Sequence, residues 1–251
     1  NRVGCDVLGY DINPMAWWIV NREIEHLDLI AYRTAATALR QTLEDQIGDL
    51  YRTHCLKCGS DQAHVKYFLW VKQHYCRRCE KDFDLFPGYL LAEDKRHTLN
   101  VLICPTCGDL NEVGDRKHPN TCATCAGGLR TDGPAKRSHC ACPHCGETAT
   151  YPASETGPPR HRMFAIEYHC RTCKAGHKGR FFKRPDPADI AGYEQATTMQ
   201  AKFGTDFVPE DAIPAGDETN RLHRWGYQYY KEMFNTRQLL GLELSCRAIA
   251  T

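Results

Sequence analysis

The chain has 251 residues, 42% of them hydrophobic and 25% charged, with a formal net charge of +1. That length and balance suit one large globular domain or two small ones and exclude a fibrous or wholly disordered chain. No apolar run approaches the ~20 residues that span a membrane, and the first residues lack the basic-then-apolar pattern of a secretion signal.

Charge is unevenly placed. Residues 51–184 hold 22 Lys and Arg against 13 Asp and Glu, a net of +9, while the remainder holds 10 against 18, a net of −8. A basic middle suits nucleic acid. Three tetrathiolate zinc sites in that middle, at about −2 each, bring it back to about +3.

In chain order, Val7–Asp11 reads as a short buried strand ending in a carboxylate. Asn13-Pro14 then opens an apolar helix through Ala16, Trp17, Trp18, Ile19 and Val20, since Asn caps and Pro suits the first helical turn. A longer helix is expected from about Leu27 to Leu50, with Leu29, Ile30, Ala36, Leu39, Leu43, Ile47 and Leu50 at three- and four-residue steps. From Tyr51 to about Arg184 the pattern changes to cysteine pairs, turn residues and alternating stretches such as Val65–Val71 that suit hairpins. Residues 185–224 read as a connector with a helix at Ala188–Phe203, and a last helix is expected from Asn235 or Thr236 to Ala250.

Six Cys-x-x-Cys knuckles stand in the middle segment: Cys55/Cys58, Cys76/Cys79, Cys104/Cys107, Cys122/Cys125, Cys142/Cys145 and Cys170/Cys173. Coupled in sequence, they are separated by 17, 14 and 24 residues, within two-knuckle zinc spacing. The first knuckle of each couple runs Cys-x-x-Cys-Gly (Gly59, Gly108, Gly146), an internal repeat. The glycine supplies a positive φ that lets backbone amides face the thiolates. Four thiolates close a tetrahedral site against water, so structural zinc is the natural occupant, about three ions in all. Redox dithiols, iron and disulfides are the alternatives. Three copies without a βαβ unit argue against the first, and the absence of a secretion pattern argues against the last. Spacing does not separate zinc from iron.

Cys5, Cys140 and Cys246 are left over, with Cys140 a candidate to exchange with Cys142, and His54, His74, His139, His144 and His169 lie beside cysteines, where a His could stand in for a Cys ligand. Lys66, Tyr67, Trp70, Lys72, Arg77, Arg78, Arg171, Lys178 and Arg180 interleave cations with aromatics, as strand-binding surfaces do. The alternative for them is a solvated hairpin face.

An acidic residue at the end of a strand is placed to accept from ribose hydroxyls of a nucleotide cofactor; taken alone, such a residue is more often a helix cap or turn residue. Asp11 is such a residue. The string Gly4-Cys5-Asp6-Val7-Leu8-Gly9-Tyr10-Asp11-Ile12-Asn13-Pro14-Met15-Ala16-Trp17 resembles the second cofactor-binding motif of adenine-specific DNA methylases that modify exocyclic amino groups with S-adenosylmethionine. At the far end, Asn235-Thr236-Arg237-Gln238-Leu239-Leu240 resembles their Phe-Thr-Pro-Arg-Gln-Leu segment, with Asn235-Thr236 in place of Thr-Pro. Some members carry Cys-x-x-Cys ribbons between these motifs. The resemblance implies that Asp11 accepts from the ribose, that Ile12 packs on the adenine ring, and that Asn13-Pro14 turns the chain into the next helix. It offers Arg237 as a contact to DNA phosphate or as a sheet-edge residue.

The family's Gly-rich loop and its Asp-Pro-Pro-Tyr-type tetrapeptide do not occur here; Gly157-Pro158-Pro159-Arg160 lacks the acceptor and the aromatic. The expectation is an internal piece of a longer cytoplasmic enzyme, inactive alone, with DNA and S-adenosylmethionine as partners. Its fold class would be α/β, a partial Rossmann-like body (1–50 and 185–251) with an inserted array of three β-rich zinc ribbons at about 51–90, 100–130 and 138–184. The rivals are a non-enzymatic tandem zinc-ribbon binding protein and a purely structural zinc scaffold for protein contacts.

Overall fold

The computed structural model describes residues 8–95, 97–152, 157–173 and 181–250. The chain divides into two compact units, Asn1–Thr42 and Leu43–Thr251.

In the first unit, α1 (Pro14–Ile24) starts as expected: Asn13 Oδ1 accepts from the Met15 amide at 2.9 Å, and Pro14 takes the first turn. Asp28 caps α2 (Leu29–Ile47), its Oδ1 accepting from the amides of Ile30 (2.9 Å) and Ala31 (3.0 Å). The expected strand at Val7–Asp11 is not formed over residues 8–11, and Val7 lies outside the described residues. A strand exists only with a ladder partner, and none of the described strands pairs with this segment. Trp17, Trp18, Ile19 and Val20 are exposed. The periodicity of the long helix was legible, but in the structure only its end is buried.

The second unit is built on one long strand. β1 (Arg52–Thr53) leads to β2 (Ala63–Cys76), and β3 (Lys81–Asp84) pairs with the far end of β2 from Gln73 to Cys76. The near part of β2 pairs with β10 (His161–His169), which pairs with β11 (Phe181–Lys183), giving the order β1-β2-β10-β11. Between β3 and β10 lie two small sheets. One comprises β4 (Leu90–Ala92), β5 (Asn100–Ile103) and β6 (Leu110–Val113); the other comprises β7 (Ala135–Lys136), β8 (His139–Ala141) and β9 (Thr148–Thr150).

Every ladder among the described residues is antiparallel. The chain thus combines helices with antiparallel sheets, and the parallel sheet of a Rossmann-like body is not present in the described residues. β10 buries Ala165, Ile166, Glu167 and Tyr168 in succession, so it is covered on both faces instead of alternating.

Three helices follow: α3 (Pro187–Phe203), the short α4 (Asn220–Arg224) and α5 (Thr236–Ala250). The end of α2 and the 3-10 turn after it (Gly48–Tyr51) join them, so that Ile47 and Leu50 pack with Ala196, Leu240 and Leu244. Burying a residue such as Leu240 completely contributes roughly 1.5–3 kcal/mol.

Candidate metal centres and flanking motifs

The six knuckles form three tetrads: Cys55, Cys58, Cys170 and Cys173; Cys76, Cys79, Cys142 and Cys145; and Cys104, Cys107, Cys122 and Cys125. Across knuckles, Sγ–Sγ distances are 3.9 Å (Cys55–Cys173), 3.5 Å (Cys58–Cys170), and 3.6 Å for Cys76–Cys145, Cys79–Cys142, Cys104–Cys125 and Cys107–Cys122. Four sulfurs placed ~2.3 Å from one ion at tetrahedral angles lie about 3.8 Å apart. Each tetrad therefore could hold a single tetrahedral ion such as zinc.

The knuckles share one turn. The amides of Gly59, Gly108 and Gly146 donate to the carbonyls of Cys55, Cys104 and Cys142 at 2.9 Å, and Glu80 and Ala126 repeat this on Cys76 and Cys122 at 2.8 and 2.9 Å. All five residues have positive φ, from 56° at Glu80 to 76° at Gly146. Gly was expected at three of them; Glu80 and Ala126 adopt a conformation that costs an L-residue roughly 1–2 kcal/mol, which the turn imposes on them.

The turn also shapes proton affinity. Burial pushes the Cys55 thiol up, yet the amides of Cys58 and Lys57 and the Tyr168 hydroxyl bring it down to about 6. At Cys122 the amide of Cys125 is the main cause of a fall to about 6. Burial pushes Cys79 and Cys107 up to about 12, helped by neighbouring sulfurs. The raised thiols of a tetrad hold on to their protons without a cation, and a bound ion would displace them.

The membership of the tetrads corrects the expected sequential ribbons. Only the couple at 104–125 joins neighbouring knuckles; the other two are nested around it, with Cys79 and Cys142 63 positions apart and Cys58 and Cys170 112 apart. The expected modules at 51–90 and 138–184 thus exchange halves, because β2 pairs with β10 and carries the knuckles at its two ends into different sites. The array closes where it opens. Buried Lys183 Nζ lies 3.0 Å from Thr53 Oγ1, 2.9 Å from Asp189 Oδ2 and 2.5 Å from Asp186 Oδ2, and Thr53 Oγ1 donates to Asp189 Oδ1 at 2.6 Å. The sequence pattern Asp186-Pro187-x-Asp189, a capping box for α3, was the available sign of this clasp.

None of the five candidate histidines belongs to a tetrad; His54, for example, pairs with Asp61 at 2.7 Å. Cys140 is buried beside the middle tetrad without joining it, its thiol donating to the Ala149 carbonyl. Cys5, Lys178 and Arg180 lie outside the described residues.

At the amino-terminal motif, Asp11 Oδ1 accepts from the Asn13 amide at 2.7 Å, a local turn before α1. Asp11 and Ile12 are both exposed. At the other motif, Asn235 Oδ1 accepts from the Gln238 amide (3.0 Å), and Gln238 Oε1 accepts from the Asn235 amide (2.9 Å). Gln238 thereby closes a capping box on α5. Arg237 is buried, its guanidinium 3.8 Å from the centre of the Phe68 ring and 5.4 Å from that of Tyr193. Of the two roles offered for it, this conformation fits attachment of α5 to the sheet and leaves no access to phosphate. No protein-family model, curated protein or solved structure matches the chain.

Proposed function

We propose that this chain belongs to an S-adenosylmethionine-dependent DNA methyltransferase acting on an exocyclic amino group, that of adenine, and that three zinc ions fold an array inserted into it. The observation that carries this reading is the combination of two methylase-like motifs, at residues 4–17 and 235–240, with a nested array between them. A segment that leaves a body and returns to it at one place needs adjacent ends, and Thr53 and Lys183 are such ends.

S-adenosylmethionine would supply the methyl group. Asp11, already oriented by the Asn13 amide, would accept from the ribose hydroxyls, and exposed Ile12 would lie against the adenine ring. The target base must leave the duplex, as chemistry on base atoms requires. Zinc would act only through folding, since a closed tetrathiolate set offers no position for water or substrate.

The test is transfer of labelled methyl groups to DNA by the complete reading frame, alongside the isolated 251 residues. Transfer by the former and none by the latter is expected. DNA binding without transfer by the complete protein would instead favour a zinc-ribbon binding module.

A further inference from the structure

The middle tetrad lies against a groove of about 960 Å³, lined in part by His74, Arg77, Arg78, Tyr151, Arg160 and Trp225. Three elements far apart in sequence build it. Arg77 and Arg78 are the two residues inside the Cys76/Cys79 knuckle, so a metal-held turn presents both to solvent at little further cost in backbone entropy. Arg160 reaches the same groove from the segment before β10. Trp225, which follows α4, packs 5.8 Å from Tyr151, and Lys72 Nζ sits 4.7 Å above its ring. Among the described residues, Glu147 accepts from Arg78 at 3.1 Å and Asp82 pairs with Arg160, and Arg77 is partnered as well. Both pairs are exposed, where ion pairs contribute little, and a phosphate competes well for a guanidinium.

We propose that this groove binds a single strand of DNA, with phosphates on Arg77, Arg78 and Arg160 and a base stacked on the aromatic edge formed by Trp225 and Tyr151. Cations beside aromatic faces are the chemistry by which single strands are held without reading sequence. A strand opened around an extruded base offers such a segment; in naming DNA the inference rests on the methyltransferase reading, and the groove's own chemistry requires only a single-stranded nucleic acid.

The test uses the zinc-loaded 251-residue chain and a fluorescent mixed-sequence DNA strand of about 12 nucleotides, within the span that single-strand sites cover, with the matching duplex as control. Binding should favour the single strand and weaken with salt. Each of Arg77→Ala, Arg78→Ala and Arg160→Ala should lower the steepness of log K against log salt by about 0.7. Trp225→Leu should weaken binding about 5- to 150-fold, and Glu147→Gln should tighten it by removing a competitor for Arg78. Zinc content and the thermal melt establish that each variant is folded; the arginine variants, being on the surface, serve if Trp225→Leu is not. Absence of binding at low salt, preference for duplex, or arginine variants that bind like the parent would overturn the proposal. A complete protein that transfers methyl groups while the groove fails these tests retains its enzymatic assignment. Strand binding by the groove in a protein that never transfers methyl groups removes that assignment and keeps the groove.

Discussion

At Asp11 the carboxylate is already engaged with the Asn13 amide, and a substitution separates its two possible duties. If it also accepts from ribose, Asp11→Ala in the proposed methyltransferase removes a charged hydrogen-bond partner worth roughly 1.5–3 kcal/mol, an affinity loss of about 10- to 150-fold for S-adenosylmethionine. If it only forms the turn, the loss is about 1 kcal/mol of stability with cofactor affinity unchanged. Calorimetric titration beside a thermal melt distinguishes the outcomes. Glu80 and Ala126 offer a second test, on stability alone. With φ at 56° and 58°, replacement by Gly relieves roughly 1–2 kcal/mol of strain against roughly 0.4–1 kcal/mol of added freedom in the unfolded chain. Glu80→Gly and Ala126→Gly should each stabilise the metal-loaded protein by about 0.5–1 kcal/mol, measured by denaturant titration.

The elements that the sequence made legible are those specified locally. Asn13, Asp28 and Asn235 cap α1, α2 and α5, and the knuckle turns close within five residues. Which knuckle meets which is not local. Loop closure grows only as (3/2)RT ln n, so joining Cys58 to Cys170 instead of Cys76 costs only about 1.6 kcal/mol more for a separation of 112 positions against 18. The β2–β10 ladder outweighs that difference by burying Met163, Ala165, Ile166 and Tyr168. The Asp11 strand failed for a related reason, since alternation or apolarity marks a strand without supplying its partner. The tetrads also set a pH dependence. Thiols held at about 12, such as Cys79 and Cys107, must give up protons before an ion can bind, so binding strengthens as pH rises and metal is released as pH falls. Zinc titrations at two pH values with a chromophoric competitor should show tighter binding and proton release at the higher pH; equal affinity at both would contradict thiolate ligation.

Nesting makes the whole array a set of enclosures. The inner ribbon starts after Phe86 and ends before Ala135, whose amide donates to the Phe86 carbonyl at 3.1 Å, and Gly88 and Asp132 form an antiparallel bridge where the chain goes out and comes back. The knuckles at Cys104/Cys107 and Cys122/Cys125 complete their tetrad entirely within that excursion. Removal of residues 89–131, with Gly88 and Asp132 joined by a two-residue turn, should therefore leave the other two tetrads intact. The truncated protein should bind two zinc ions against three for the parent, by elemental analysis. It should also melt at a lower temperature, because Val71, Phe86 and Phe164 lose the cover of Tyr89, Ile103 and Leu110. The same logic runs differently for the outer site. Cys58→Ser disrupts the tetrad that ties β1 to the end of β10, and with it the closure that brings Thr53 to Lys183. That single change should cost more stability than Cys107→Ser, although each removes a ligand from one site. Equal losses, or a truncated chain that retains fewer than two ions, would mean that the three tetrads fold as one indivisible core.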